Sequence, residues 1–466
     1  MLFSSVPFLF YFLPCVLTLY FIAPKRAKNS VLLLSSLVFY GWGEPRYLPV
    51  MLGSILQGYL FGLLIARCRG QKLARIFLAL SVFLSLGTLA YFKYADFMIA
   101  NLNALTGLSV PLLRLALPVG ISFYTFQILS YTVDVYRGTV PAQRNLIDLA
   151  AYIAMFPQLI AGPIVRYSDI AAQLSVRTHS VSDAAYGTRR FVLGLSKKVL
   201  FANLLGEIVS GFRSSGDLSV LYYWLAAVSF TLQIYYDFSG YSDMAIGLGR
   251  IFGFRFPENF NYPYISGSIT EFWRRWHISL GAWFRDYLYI PLGGNQKGRA
   301  RQLCNILLVW LATGLWHGAA WNFVLWGLLY AVLLTAEKLF LLPRLQKLHV
   351  LNHIYVLFFV ILGFVLFDAA NVQDAAVSIR AMFGAASLPL TSVQSLYVLG
   401  SCATLLAIAA LGATPLPKKL HAAVQSSRTG AKLLAVLEPA ALVALLAVCT
   451  AFLVDGSFNP FLYFRF

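Results

Sequence analysis

Leu303-Cys304-Asn305-Ile306-Leu307-Leu308-Val309-Trp310-Leu311-Ala312-Thr313-Gly314-Leu315-Trp316-His317 is the stretch that decides how this chain is read. It follows Arg299-Ala300-Arg301 and runs into Gly318-Ala319-Ala320-Trp321-Asn322. From Leu303 to Leu315 no side chain carries a charge, the pattern of a helix made for hydrocarbon. At 1.5 Å of rise per residue, His317 lies about 21 Å up a straight helix from Leu303. That is past the middle of a hydrocarbon layer roughly 30 Å thick, or nearer the middle if the helix tilts. An ionisable group at such depth is expensive and marks a functional site. Histidine titrates nearest neutral pH, which makes His317 the candidate proton-transfer group. The plainer alternative is a satisfied interhelical hydrogen bond, against which Trp316, Trp321 and Asn322 cluster around the imidazole. Gly314 and Gly318 bracket it at four-residue spacing and read as close helix packing.

The rest of the chain agrees with a lipid setting. Of 466 residues 59% are hydrophobic and 12% charged, against roughly 25% charged in soluble domains. The class is an all-α polytopic membrane protein. No basic residue precedes the first apolar run and no small-x-small site follows it, so Val6 to Ala23 reads as a retained span. The five cysteines are scattered, with no C-x-x-C pair. They read as small buried hydrophobes rather than a metal or disulfide set. A net charge of +18 sits in short loops and follows the positive-inside rule, so no nucleic-acid partner is expected. A basic cytoplasmic face would also attract an anionic acyl donor.

Lys25-Arg26-Ala27-Lys28 marks the cytoplasmic end of the first span, which puts the N-terminus outside. Spans from Ser30, from Tyr47 to Ala66 and from Ile76 to Phe92 then alternate consistently. Leu117-Pro118-Val119-Gly120-Ile121-Ser122, Pro157 and Gly162-Pro163 interrupt apolar runs, as happens where backbone is buried in protein or lines a cavity. Further spans fall near residues 221–235, 303–315, 321–335, 354–367, 395–411 and 440–454, giving about ten to twelve crossings. The chain reads as one integral-membrane domain, 1–466, with its core motifs at about 117–330.

Between Arg250 and Arg301 eight Lys/Arg stand against three Asp/Glu, so this block is expected in the cytoplasm. Ser268-Ile269-Thr270-Glu271 has capping-box form and predicts a helix start at Ser268, carrying Phe272 to Leu280. Trp273, Trp276, Leu280, Trp283 and Tyr287 share one side of it, the pattern of a helix lying at a membrane interface. His277 falls beside that stripe, as a structural or a site histidine. Arg274 and Arg275 suit phosphate recognition or lipid headgroups. Tyr235-Tyr236-Asp237-Phe238-Ser239-Gly240-Tyr241-Ser242-Asp243 reads as the polar end of a span, a place that explains Asp243 better than Asp237. Residues 291–298 read as a turn.

These residues resemble a known family, the membrane-bound O-acyltransferases, in the bacterial branch that acetylates exported polysaccharides. The resemblance runs end to end. Its markers are Met1-Leu2-Phe3-Ser4-Ser5, Leu117 to Tyr136, Asp237 to Gly247, Glu258 to Tyr264, Trp273 to Leu280, Leu315 to Asn322 and Phe458 to Phe464. It implies a ring of about 10–12 transmembrane helices, with interfacial and re-entrant helices, around a central tunnel. It implies His317 and His277 as the catalytic pair. Trp316, Asn322, Asp237, Arg274, Arg275 and Ser279 are the candidates for tunnel or donor contacts. No metal and no bound cofactor is expected. The implied donor is acetyl-CoA or an acyl carrier protein thioester on the cytoplasmic side. The implied partners are an external acetyltransferase, polysaccharide export machinery and membrane lipid, and the implied location is the bacterial inner membrane. His317 would act as general base on an acceptor hydroxyl, a contribution of about 10²–10⁴-fold. Direct transfer and a transient acyl-enzyme both stay open.

Three rival readings remain. One is the same family with a D-alanyl cargo for teichoic acid, or with peptidoglycan as acceptor. Another is a transporter, which broken spans and intramembrane Asp and His would suit, although no repeat symmetry is visible. A purely structural scaffold is a third and predicts that His317→Ala changes nothing in acetylation.

Overall fold

The computed structural model describes residues 2–385, 387–456 and 462. Among these the regular structure is entirely helical. Six helices are long and apolar enough to cross a membrane: Pro45–Arg67, Lys72–Thr106, Trp321–Leu345, Leu351–Asp368, Val393–Gly412 and Arg428–Asp455. With helices that hydrogen-bond their own backbone in lipid, this is a multi-pass membrane protein. Other expected crossings, at Leu13–Ile22, Lys28–Gly43, Val220–Ile251 and Arg299–His317, are helical but fall short of that length or apolarity. The closing marker Phe458 to Phe464 lies outside the described residues, apart from Leu462.

The chain forms two compact units, Met1–Phe191 with Ser242–Glu258, and Val192–Tyr241 with Asn259–Phe466. In the first, the helix Leu48–Arg67 packs on Lys72–Thr106 and Ile121–Arg137. Gly62 allows the closest approach, since a Cβ there would stand 2.6 Å from the Tyr131 hydroxyl. The Pro-Gly interruption expected near residue 120 ends where Gly120, at φ +77°, opens the helix Ile121–Arg137. The break expected at Pro157 falls at Met155, between Leu146–Ala154 and Phe156–Leu159. Asp243 is held by Arg190, 2.8 Å away, which also pairs with Glu258.

The second unit carries the decisive stretch. Arg299–His317 and Trp321–Ala336 are joined by three residues and lie against each other. Phe272, Trp276, Trp326, Tyr330 and Phe364 form the centre of its core.

Two sequence expectations are corrected here. The polar run 235–243 does not end a helix: Val220–Ile251 continues through it for 32 residues. Two of its polar groups find partners far along the chain instead. Asp237 bonds Lys198 Nζ at 2.5 Å and the Leu462 N–H at 2.8 Å, and the Tyr236 hydroxyl donates to the Ala409 carbonyl. The second correction concerns the aromatic helix. Trp276, Leu280 and Trp283 are buried, and the Trp273 ring meets Trp310, Trp326 and Tyr330 with centroids 4.6, 5.5 and 4.8 Å apart. The stripe faces protein rather than headgroups.

Candidate active site

The helix start expected at Ser268 is present. Ser268 Oγ accepts from the Glu271 N–H at 3.0 Å, and the Glu271 carboxylate accepts from the Gly267 N–H at 2.9 Å. A second carboxylate reinforces the cap. Buried Glu337 accepts from the N–H groups of Ile269 and Thr270 at 2.6 and 2.8 Å, where a helix terminus offers orphan donors and a partial positive charge.

The helix then stops early. Residues 269–275 and 278–284 form two helices of seven residues each, with His277 between them in the left-handed region at φ +44°. The cause is not local propensity. The segment after Glu258 pairs with the broken turn: the Ile278 N–H donates to the Asn259 carbonyl at 3.0 Å, and the Asn261 N–H to the Arg275 carbonyl at 2.9 Å. Left-handed backbone at a non-glycine residue is a strained state that the surroundings must hold, and such states gather at functional sites.

That turn aims His277 inward, where it is 2% exposed. Its Nδ1 lies 3.1 Å from Asn259 Oδ1, and its Nε2 has no hydrogen-bond partner among the described residues. The Phe238 ring stands 4.6 Å away. His277 lies in a turn outside the spanning helices, and burial pushes its pKa down to about 3, so the ring is neutral near pH 7.

His317 is the last residue of its helix. Its ring touches Trp316, Trp326 and Phe367 at centroid distances of 5.0, 5.1 and 5.2 Å. The Trp316 indole also meets His277, at 6.0 Å. The two histidines, 40 positions apart in sequence, therefore share one tryptophan neighbour.

Two cavities open here. The smaller, about 230 Å³, is lined by Trp273, Trp276, His277, Leu280, Trp310 and Thr313, and is mostly apolar. The larger, about 760 Å³, is lined by Gly318, the residue after His317, and by Asn322, Phe323, Arg213, Asp368 and Asp374 among others, while His317 itself lines neither. Along the chain, Ile306, Val309, Trp310 and Thr313 of the His317 helix line the first, and Gly318, Ala319, Ala320, Asn322 and Phe323 line the second.

The remaining predicted residues divide. Asn322 lines the larger cavity while its amide donates to the Ala369 carbonyl at 2.9 Å. Ser279 is buried and donates to Asn259 Oδ1 at 2.9 Å. Arg275 is bound to Glu271 at 2.8 Å and to the Asn261 carbonyl, so its guanidinium is already engaged. Arg274 is exposed, with no hydrogen bond or ion pair among the described residues. Asp237 is occupied by Lys198 and lines neither cavity. Among the described residues no group of three or more His, Cys, Asp or Glu is placed to hold a metal. Sequence reasoning did not single out Asn259, Phe238, Trp326 or Phe367, whose roles arise from contacts far along the chain.

Comparison with known proteins points the same way. The model of the membrane-bound O-acyltransferase family matches residues 129–373. A probable alginate O-acetylase of Pseudomonas putida is 41% identical over 485 aligned positions that cover 100% of both chains. Another, from Pseudomonas aeruginosa, is 45% identical over 82% of this chain and 75% of its own. A peptidoglycan O-acetyltransferase of Helicobacter pylori is 35% identical, covering 82% of this chain and 80% of its own.

Proposed function

This chain belongs to the membrane-bound O-acyltransferase family, and on that premise we propose that it moves an acetyl group from a cytoplasmic thioester, most simply acetyl-CoA, to an exported polysaccharide. It is an O-acetyltransferase of the membrane. The relatives' acceptors, alginate above all, support a cell-surface polysaccharide as the end of the route. The basic loops support a cytoplasmic donor side and an N-terminus outside the bacterial inner membrane. A partner outside the membrane completes delivery to the polymer.

The observation that carries the reading is that the two histidines share Trp316, with His277 lining the smaller cavity and Gly318, the residue after His317, lining the larger. The smaller apolar cavity suits the acetyl end and part of a thioester arm. The larger, with Asn322, Arg213 and two aspartates, suits a hydroxyl-bearing acceptor, and its volume falls within the usual range of ligand sites. The acceptor oxygen attacks the thioester carbonyl carbon. A C–O bond forms, the C–S bond breaks and the thiolate leaves. His317 takes the hydroxyl proton and returns it to the thiolate. The acetyl group thus crosses without its carrier.

The test uses sealed membrane vesicles that retain the external partner, with acetyl-labelled acetyl-CoA on one side and a soluble polysaccharide on the other. The reading expects free thiol on the donor side and ester-linked label on the acceptor, in equal amounts. Label that crosses as intact acetyl-CoA, with no thiol released, would replace it with a transporter.

A further inference from the structure

We infer that Asn259 is a positioning residue that holds His277 in the tautomer with its proton on Nδ1, leaving a bare, buried Nε2 lone pair on a residue that lines the smaller cavity. The inference rests on the reading of this site as catalytic, and it assigns what His277 offers there: an acceptor, not a donor.

The argument starts from which atom of the Asn259 amide faces the imidazole. Amide oxygen and nitrogen are told apart by their partners. Here the partners are decisive. The atom that meets His277 Nδ1 at 3.1 Å also receives the Ser279 backbone N–H at 3.3 Å and the Ser279 hydroxyl at 2.9 Å. A backbone N–H only donates, so the amide atom accepts and is oxygen. An oxygen acceptor at 3.1 Å from Nδ1 requires a proton on Nδ1. In a neutral imidazole the other nitrogen is then bare.

Three observations fix the ring in that state. The strained turn at φ +44° prevents His277 from swinging with an unbroken helix. The main chain of Asn259 is tied to the same turn through the Ile278 N–H, so side chain and backbone of one residue clamp both ends of the bend. The ring's aromatic neighbours are Phe238 and Trp316, neither charged. What remains is Nε2, buried, without a partner among the described residues, on a residue that lines the cavity. A buried acceptor left unmade is costly, and in a native site it calls for a ligand or a role.

The chemistry follows. A bare Nε2 accepts a hydrogen bond, or a proton, from an N–H, O–H or S–H of whatever enters the cavity. It cannot polarise the thioester carbonyl by donating to it. Stabilisation of the carbonyl oxygen must then come from other groups, such as the Trp273 indole N–H, which lines the same cavity and has no partner among the described residues.

The experiment reads the tautomer directly, by ¹⁵N magnetic resonance of the full-length protein in lipid with ring-labelled histidine. The His277 signals are identified by their loss in His277→Gln. The inference expects a protonated Nδ1 and a bare Nε2 in the wild type and in Asn259→Asp, whose carboxylate still accepts. In Asn259→Leu the Nδ1–H population falls. A proton found on Nε2 in the wild type overturns the inference whatever the activity. Acetyl transfer supplies the second readout. Asn259→Leu should lose about 10²-fold or more in kcat, Asn259→Asp should keep most of it, and Asn259→Leu with His277→Gln should lose no more than His277→Gln alone, since one residue acts through the other. Additive losses would make Asn259 merely structural. If His317→Ala were fully active, the catalytic reading would fail while the tautomer result stood on its own.

Discussion

Gly314 and Gly327 meet backbone to backbone: a Cβ placed on either would stand 3.4 Å from the other's Cα. It would also drive into a main-chain carbonyl, that of Phe323 for Gly314 and that of Trp310 for Gly327. Main chain cannot step aside as a flexible side chain can. This contact sets how close the His317 helix lies to its neighbour, and so where His317 sits against Trp326. Gly314→Ala should therefore destabilise by about 1–3 kcal/mol, lowering the unfolding midpoint in detergent, and should reduce transfer. Gly53→Ala and Gly87→Ala, whose added Cβ meets nothing within 4 Å, should leave both unchanged. Equal behaviour of the two classes would remove this account of the helix contact.

Lys198 and Asp237 form a buried pair, with side chains 6% and 1% exposed and 2.5 Å between their charged atoms. Removing one partner strands the other charge. Lys198→Met should cost about 3–5 kcal/mol. Lys198→Met with Asp237→Leu should recover part of that loss, measured as the difference in unfolding midpoints. A double variant worse than the sum of the singles would show that Asp237 has another task.

Glu337 caps the helix that leads to His277. Glu337→Gln keeps the shape but exchanges a charged acceptor for a neutral one that must turn an N–H toward donors. The Ile269 and Thr270 N–H groups would lose at least one partner, a loss of about 1–3 kcal/mol. Hydrogen exchange should accelerate at residues 269–275 before it does in Arg299–His317. Uniform acceleration across the unit would contradict a local cap.

The His277 imidazole gives a pH dependence of known sign. Its folded pKa, about 3, lies below the ordinary value near 6.5. The unfolded chain thus binds the proton first. Stability is whole above pH about 6.5 and falls as the pH drops from there, by about 1.4 kcal/mol per unit at most. Midpoints measured from pH 7.5 to 5 should slope more steeply in the wild type than in His277→Gln. Parallel slopes would mean that the ring titrates alike in the folded and unfolded chain, against the burial seen here.

The sequence made much of this visible, and the limit is physical. The His317 helix, the cap at Ser268 and the polar cluster after Leu315 are written in neighbouring residues. Charge depletion, capping chemistry and helical spacing all act within a few turns. The break at His277 is different. Phe272 to Leu280 has every local property of a continuous helix. It bends because Asn261, 14 positions before Arg275, and Asn259, 19 positions before Ile278, take its backbone hydrogen bonds.

The same reasoning explains the residues read less well. A polar span end explains Asp237 poorly, and what does explain it, Lys198 and the Leu462 amide, comes from distant parts of the chain. The aromatic stripe looked interfacial because Trp beside Arg suits headgroups. Only the packed Trp310, Trp326 and Tyr330 reveal that it is core. Periodicity tells which residues share a face and says nothing of what covers it.

The central claim is that His317 lies at the heart of acetyl transfer to a cell-surface polysaccharide. Its most direct test is ester-linked acetate on the cell's exported glycans, released by mild alkali, from cells making equal membrane levels of wild type or His317→Ala. The account predicts that the acetate is lost in the variant and that one glycan fraction carries the whole loss. Unchanged acetate in every fraction, at equal protein levels, would contradict it.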